Sequence, residues 1–108
     1  MVGIDVVDIA RFRSLLDRSP HIADRFFTPD ELAHCAASKD HALHLAGTFA
    51  AKEAVMKALG LVPAVAWARR IEVARSPKGG PVARVEGAEV AVSISHDGPV
   101  AVAVAFTA

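Results

Sequence analysis

Two carboxylates stand in stretches that otherwise read as buried. Asp5 interrupts the apolar run Val2-Gly3-Ile4-Asp5-Val6-Val7, where a strand is expected and aspartate is disfavoured. Glu53 lies in Phe49-Ala50-Ala51-Lys52-Glu53-Ala54-Val55-Met56-Lys57-Ala58, and helical spacing puts it on one face with Phe49, Met56 and Gly60. A buried carboxylate without a partner is costly, so each should have a cation or strong hydrogen bonds. If the two meet, they form a hard-oxygen site of the kind Mg²⁺ prefers when it also holds a phosphate. Lys57, one turn beyond Glu53, is placed to serve that phosphate. Plainer readings stand beside these. Glu53 and Lys57 form an i, i+4 helix pair, and Asp5 caps the end of its strand. Asp8 is the better cap by position, which leaves Asp5 without a structural task.

Other polar groups are less specific. Ser93-Ile94-Ser95-His96-Asp97 ends a strand and enters a turn. It is not a hydrolase triad, whose members are assembled in space rather than in sequence. His96 either donates to a phosphate or is structural. His21, His34, His41 and His44 show no metal-ligand spacing. Arg11, Arg18 and Arg25 recur every seven residues, with Ser19-Pro20 as an interruption. They form either a basic stripe for an acidic partner or a solvated helix exterior.

The bulk properties narrow the classes. A chain of 108 residues accommodates one domain, residues 1–108. Its core is small, so with 53% hydrophobic residues and mean hydropathy +0.35 association is expected. Twelve acidic and twelve basic side chains cancel. No global field favours nucleic acid or a membrane, and a charged partner must be met by a local patch. The N-terminal apolar run is too short and too acidic for a signal peptide, and no apolar stretch approaches the roughly 20 residues of a membrane span. Cys35 is the one cysteine. It excludes an internal disulfide, fits a reducing, cytoplasmic setting, and reads as a small buried hydrophobe rather than a catalytic thiol.

The elements that must position these groups follow from pattern. Residues 2–7 read as a strand, and Asp8 as the N-cap of a helix over Ile9–Asp17. A short helical piece is expected over Ile22–Phe26. Thr28-Pro29-Asp30-Glu31 combines an N-cap hydroxyl, a proline at the first helical position and a glutamate three residues in; that helix runs to about Ser38. A long helix over His41–Leu59 closes at Gly60. Beyond residue 68 the period changes to two, giving strands over Arg70–Arg75, Val82–Glu86, Val90–Ser95 and Val100–Phe106, with turns at Pro77–Gly80 and Asp97–Pro99. Helices followed by a hairpin-rich sheet predict an α+β fold with a mainly antiparallel sheet.

Taken in order and spacing, these segments resemble the holo-acyl-carrier-protein synthases, the small class of 4′-phosphopantetheinyl transferases, over nearly the whole chain. The marks are Val2–Val6, Arg25-Phe26-Phe27-Thr28-Pro29-Asp30-Glu31-Leu32, the Phe49–Ala58 run, Trp67 before Ile71-Glu72-Val73, and Val92-Ser93-Ile94-Ser95-His96. The resemblance implies transfer of 4′-phosphopantetheine from coenzyme A to a serine of an apo acyl or peptidyl carrier protein, releasing adenosine 3′,5′-bisphosphate. It implies Asp5 and Glu53 as Mg²⁺ ligands and, with Lys57, as the catalytic set. It implies Lys52, Lys57, Ser95 and His96 as coenzyme A contacts, and Arg11, Arg18 and Arg25 as the face met by the carrier protein. It also implies a homotrimer with sites at subunit interfaces. The chain departs from the family pattern in three places. Thr48 stands where an arginine that helps hold coenzyme A phosphate usually precedes Phe-Ala-Ala-Lys-Glu. Leu61-Val62-Pro63 replaces a frequent Gly-Thr-Gly. Gly87-Ala88-Glu89 connects two strands that a helix generally separates. The alternative reading is a non-catalytic paralogue that binds a carrier protein or coenzyme A.

Overall fold

The computed structural model describes residues 1–107. The first strand, β1 (Val2–Asp8), leads directly into helix α1 (Ile9–Arg18). Asp8 accepts from the Arg11 amide at 2.9 Å, so the N-cap falls where the sequence places it. A short α2 (Ile22–Phe26) follows, then α3 (Pro29–Ala36). Its start is a complete capping box. The Thr28 hydroxyl accepts from the Glu31 amide at 3.2 Å, and Glu31 Oε1 accepts from the Thr28 amide at 2.8 Å. The long helix α4 (His41–Leu59) ends on Gly60 with φ 68°, the left-handed conformation glycine adopts without a Cβ penalty.

A short α5 (Ala64–Trp67) and a 3₁₀ turn over Ala68–Arg70 then deliver the chain to β2 (Ile71–Arg75). Strands β3 (Pro81–Val85), β4 (Ala88–Asp97) and β5 (Val100–Phe106) complete a five-stranded sheet of order β1-β5-β4-β3-β2. Every neighbouring pair is antiparallel, as the hairpin pattern predicts. The sequence pattern does not show α5, and β4 extends two residues beyond the expected Val90–Ser95 at each end. The link between β3 and β4 is a two-residue turn, Glu86-Gly87, with φ 50° and 82°. Positive φ at both central positions matches the strand twist of a tight hairpin, and Ala88 and Glu89 are already paired in the ladder.

Helix α4 lies across one face of the sheet. Small residues set the separation: Ala51, Ala54 and Ala58 on the helix and Ala101, Ala103 and Ala105 on β5 are all buried. At Gly3 on β1 even a methyl is excluded, because a Cβ there would sit 2.0 Å from the Ala54 carbonyl oxygen. Helix α4 is buried nearly all round, with Leu45, Ala50, Val55 and Met56 in the core. An aromatic cluster joins it to the first helices. The Phe12 and Phe49 rings lie 5.4 Å apart, and Phe12 meets Phe27 edge-on at 6.2 Å.

Candidate active site

Asp5 and Glu53 are brought to one place by the β1–α4 contact. Strand alternation puts Gly3, Asp5 and Val7 on the same face, and Gly3 rests on the Ala54–Ala58 turn. Asp5, two residues along, therefore faces the turn that carries Glu53 and Lys57. Lys57 Nζ donates to Asp5 Oδ1 at 3.1 Å and to the Ile4 carbonyl at 3.0 Å. The Asp5 carboxylate is 17% exposed and the Lys57 ammonium end reaches solvent. Neither plainer reading survives: Asp8 caps α1, and Lys57 bonds across to β1 rather than back to Glu53.

Glu53 is half-buried and makes no side-chain hydrogen bond among the described residues. Burial pushes its pKa up, the Asp5 charge pushes it further, and Lys57 opposes both. It borders a groove of about 200 Å³ with Met56, Lys57, Gly60, Leu61 and Val62. Two carboxylates on facing elements, one of them raised by burial and by the charge of the other, are the donor chemistry of a hard divalent cation. No cluster of three or more protein ligands occurs among the described residues. Such a cation would draw its remaining oxygens from water and substrate.

Lys52 requires a correction. Its ammonium is closed off from water, 2.6 Å from Glu31 Oε1, and donates to the carbonyls of Phe26 at 2.9 Å and Ala68 at 2.6 Å. All its donors are consumed in the core, so it is not presented to a coenzyme phosphate. Glu31 in turn accepts from the Val73 amide at 2.7 Å, so one carboxylate ties α3, α4 and β2 together. The sequence signal for Glu31 was the capping box; nothing in the spacing pointed to its second partner.

His96 and Ser95, near the end of β4, border a cleft over α4 with His44, Thr48 and Arg75. Thr48 is buried and donates to the His44 carbonyl at 2.9 Å. Arg75 was not singled out from sequence. Its Nε donates to His34 Nε2 at 3.2 Å. Arg11 and Arg18 lie on α1 and Arg25 on α2, so the seven-residue spacing is broken by a turn. All three are exposed and none forms an ion pair among the described residues.

Against known proteins, residues 1–105 match the 4′-phosphopantetheinyl transferase superfamily. The chain is 44% identical to a holo-[acyl-carrier-protein] synthase of Beutenbergia cavernae, covering 96% of this chain and 93% of that one. It is 41% identical to one from Frankia alni, with 94% and 91% covered. Among solved structures it is similar to the Helicobacter pylori holo-[acyl-carrier-protein] synthase in complex with coenzyme A. That likeness has a TM-score of 0.83, 31% identity and 97% of each chain covered. With two acidic groups and a lysine converging in a fold shared over nearly its whole length, this chain belongs to the 4′-phosphopantetheinyl transferase superfamily, in its holo-[acyl-carrier-protein] synthase family.

Proposed function

We propose that the chain performs the reaction of its family with Asp5, Glu53 and Lys57 as the working set. In that reaction 4′-phosphopantetheine moves from coenzyme A to a serine hydroxyl of an apo acyl carrier protein, and adenosine 3′,5′-bisphosphate leaves. The observation that carries the assignment is the convergence of Asp5, Glu53 and Lys57 across β1 and α4.

Asp5 and Glu53 are the residues that would hold Mg²⁺. Bound there, the ion would supply charge neutralisation for the pyrophosphate and the departing phosphate. Lys57 moves its ammonium from Asp5 to a phosphate oxygen, a short swing for a side chain that is 55% exposed. His96 and Ser95 meet the coenzyme from the β4 side. Arg11, Arg18 and Arg25 offer exposed guanidinium groups to an acidic carrier surface. Among the described residues no helix is long and apolar enough to cross a membrane. A cytoplasmic setting suits the free, buried Cys35.

The sheet face turned away from α4 supports assembly into a homotrimer. Val2, Ile4 and Val6 of β1 stand beside Phe106 and Val104 of β5 on that face, and Ile4 and Phe106 are 57% and 60% exposed. Contiguous apolar surface of this kind marks an interface.

The test is intact-protein mass spectrometry of an apo carrier protein incubated with this protein, coenzyme A and Mg²⁺. The expected result is a gain of one phosphopantetheine, lost with chelator and with Glu53→Ala. No gain across fatty-acid, polyketide and peptide-synthetase carriers would overturn the transferase reading in favour of a binding-only paralogue.

A further inference from the structure

We propose that Arg75 is the cation that grips a phosphate at the adenosine end of the coenzyme, acting from the sheet at the spot where Thr48 offers no charge from the helix. The proposal rests on the coenzyme A reading above and names a residue that reading did not include.

A cleft of about 160 Å³ separates the first half of α4 from the sheet. Its polar lining consists of Arg75, His44, His96, Thr48 and Ser95, and no aspartate or glutamate lines it. Gly47, also in the lining, leaves the helix surface bare on that side, where a Cβ would meet Ile94 at 3.0 Å. A space lined by three nitrogen-bearing side chains and no carboxylate selects an anion.

Arg75 is the strongest of the three. Thr48 and Arg75 are the two residues that line both this cleft and the neighbouring one, which Glu31, His34 and Cys35 border. The guanidinium therefore sits alongside position 48. Its Nε is held by His34, which fixes the plane of the fork and leaves the terminal N–H groups without a protein partner among the described residues. The carboxylates of the neighbouring cleft do not neutralise it. Glu31 is taken by Lys52, Glu72 accepts from the Thr28 hydroxyl at 2.8 Å, and Asp30 makes no ion pair. A planar fork with free N–H groups matches two oxygens of a phosphate.

The experiment is calorimetric titration of the intact protein with adenosine 3′,5′-bisphosphate and with coenzyme A, both in Mg²⁺. Arg75→Gln is expected to weaken both by about tenfold or more, the scale of one charged hydrogen-bonding contact. It should raise the KM for coenzyme A while leaving kcat near that of the parent. Thr48→Arg added to Arg75→Gln should restore affinity, because it returns the charge from the helix side. Unchanged affinity in Arg75→Gln overturns the proposal while leaving the transferase reading intact. Absence of coenzyme A binding by the parent protein overturns both. Should Arg75→Gln not fold, the parent protein supplies the test. Coenzyme A is expected to shield Arg75 from an arginine-selective dicarbonyl reagent, mapped by peptide mass spectrometry, and unshielded modification at Arg75 overturns the proposal.

Discussion

Lys52 Nζ lies 2.6 Å from Glu31 Oε1, and neither side chain touches water. The pair is made in the core between α3 and α4, next to the Phe27 ring, whose centroid is 5.4 Å from the ammonium. Burial lowers the Lys52 pKa, and Glu31 opposes that change. Removing one member strands the other. Lys52→Met is expected to cost about 3–5 kcal/mol, read from the urea midpoint of the ligand-free protein. Adding Glu31→Gln should recover part of that loss, because the stranded charge disappears; the recovery is incomplete, because the one amide oxygen can accept from only one of the Thr28 and Val73 amides, which now bond to Oε1 and Oε2. A double variant no more stable than Lys52→Met would contradict the pairing.

The Glu53 pKa sets a pH dependence with a definite sign. Its folded-state value is raised, by burial first and by Asp5 second. Between the ordinary carboxylate value and the raised one, the folded protein binds more protons than the unfolded chain. Its stability, as far as Glu53 contributes, therefore rises as pH falls through the raised value and is lower above it. Glu53→Gln should stabilise the metal-free protein at neutral pH and flatten this slope in thermal melts taken across pH. The same protonation competes with a cation. Mg²⁺ affinity should fall as pH drops, and Lys57→Met, which removes the one opposing charge, should move that loss to higher pH.

Gly3 is the closest approach of β1 to α4. Gly3→Ala places a methyl into the Ala54 carbonyl, and both partners are backbone, so strand and helix must separate. The expected outcome is a loss of about 1–3 kcal/mol or more together with weaker Mg²⁺ binding, because the shift divides Asp5 from Glu53. Calorimetry with Mg²⁺ checks it, and a variant that binds the ion as the parent does would show that the close approach does not set the site.

Ile4 on β1 pairs with Val104 on β5 in the middle of the exposed apolar face. Ile4→Glu with Val104→Glu puts two like charges there without touching the core. Light scattering after size exclusion is expected to show a trimer for the parent and a monomer for this variant, with the far-ultraviolet spectrum retained. Transfer activity should fall with it if subunits share the site.

Much of this architecture was legible because single residues carried it. Asp8, Thr28-Pro29-Asp30-Glu31 and Gly60 each fix an element end through local backbone chemistry, and each lies where the sequence places it. Asp5 and Glu53 stood out because a carboxylate in an apolar run needs a reason. Their meeting did not follow from either run; it depends on Gly3 letting strand and helix touch. The misplaced residue was Lys52. Its i, i+4 neighbours look alike whether a helix face is wet or dry, and α4 is buried nearly all round, so helical periodicity carried no warning. Arg75 escaped notice because its partners, His34 and the cleft beside Thr48, come from helices far away in sequence.

The pairing of β1 along its length with β5, from Val2 opposite Phe106 to Asp8 opposite Val100, has a consequence for biosynthesis. Strands β2 to β5 form by successive hairpins, whereas β1 has no sheet neighbour until β5 has left the ribosome. At about 5–20 residues per second that wait is roughly 5–20 s. During it an apolar strand carrying one half of the acidic pair stays open to chaperones or to other nascent chains. Glu53 can be folded into its helix early, but Asp5 reaches its final register only after the last strand has been made.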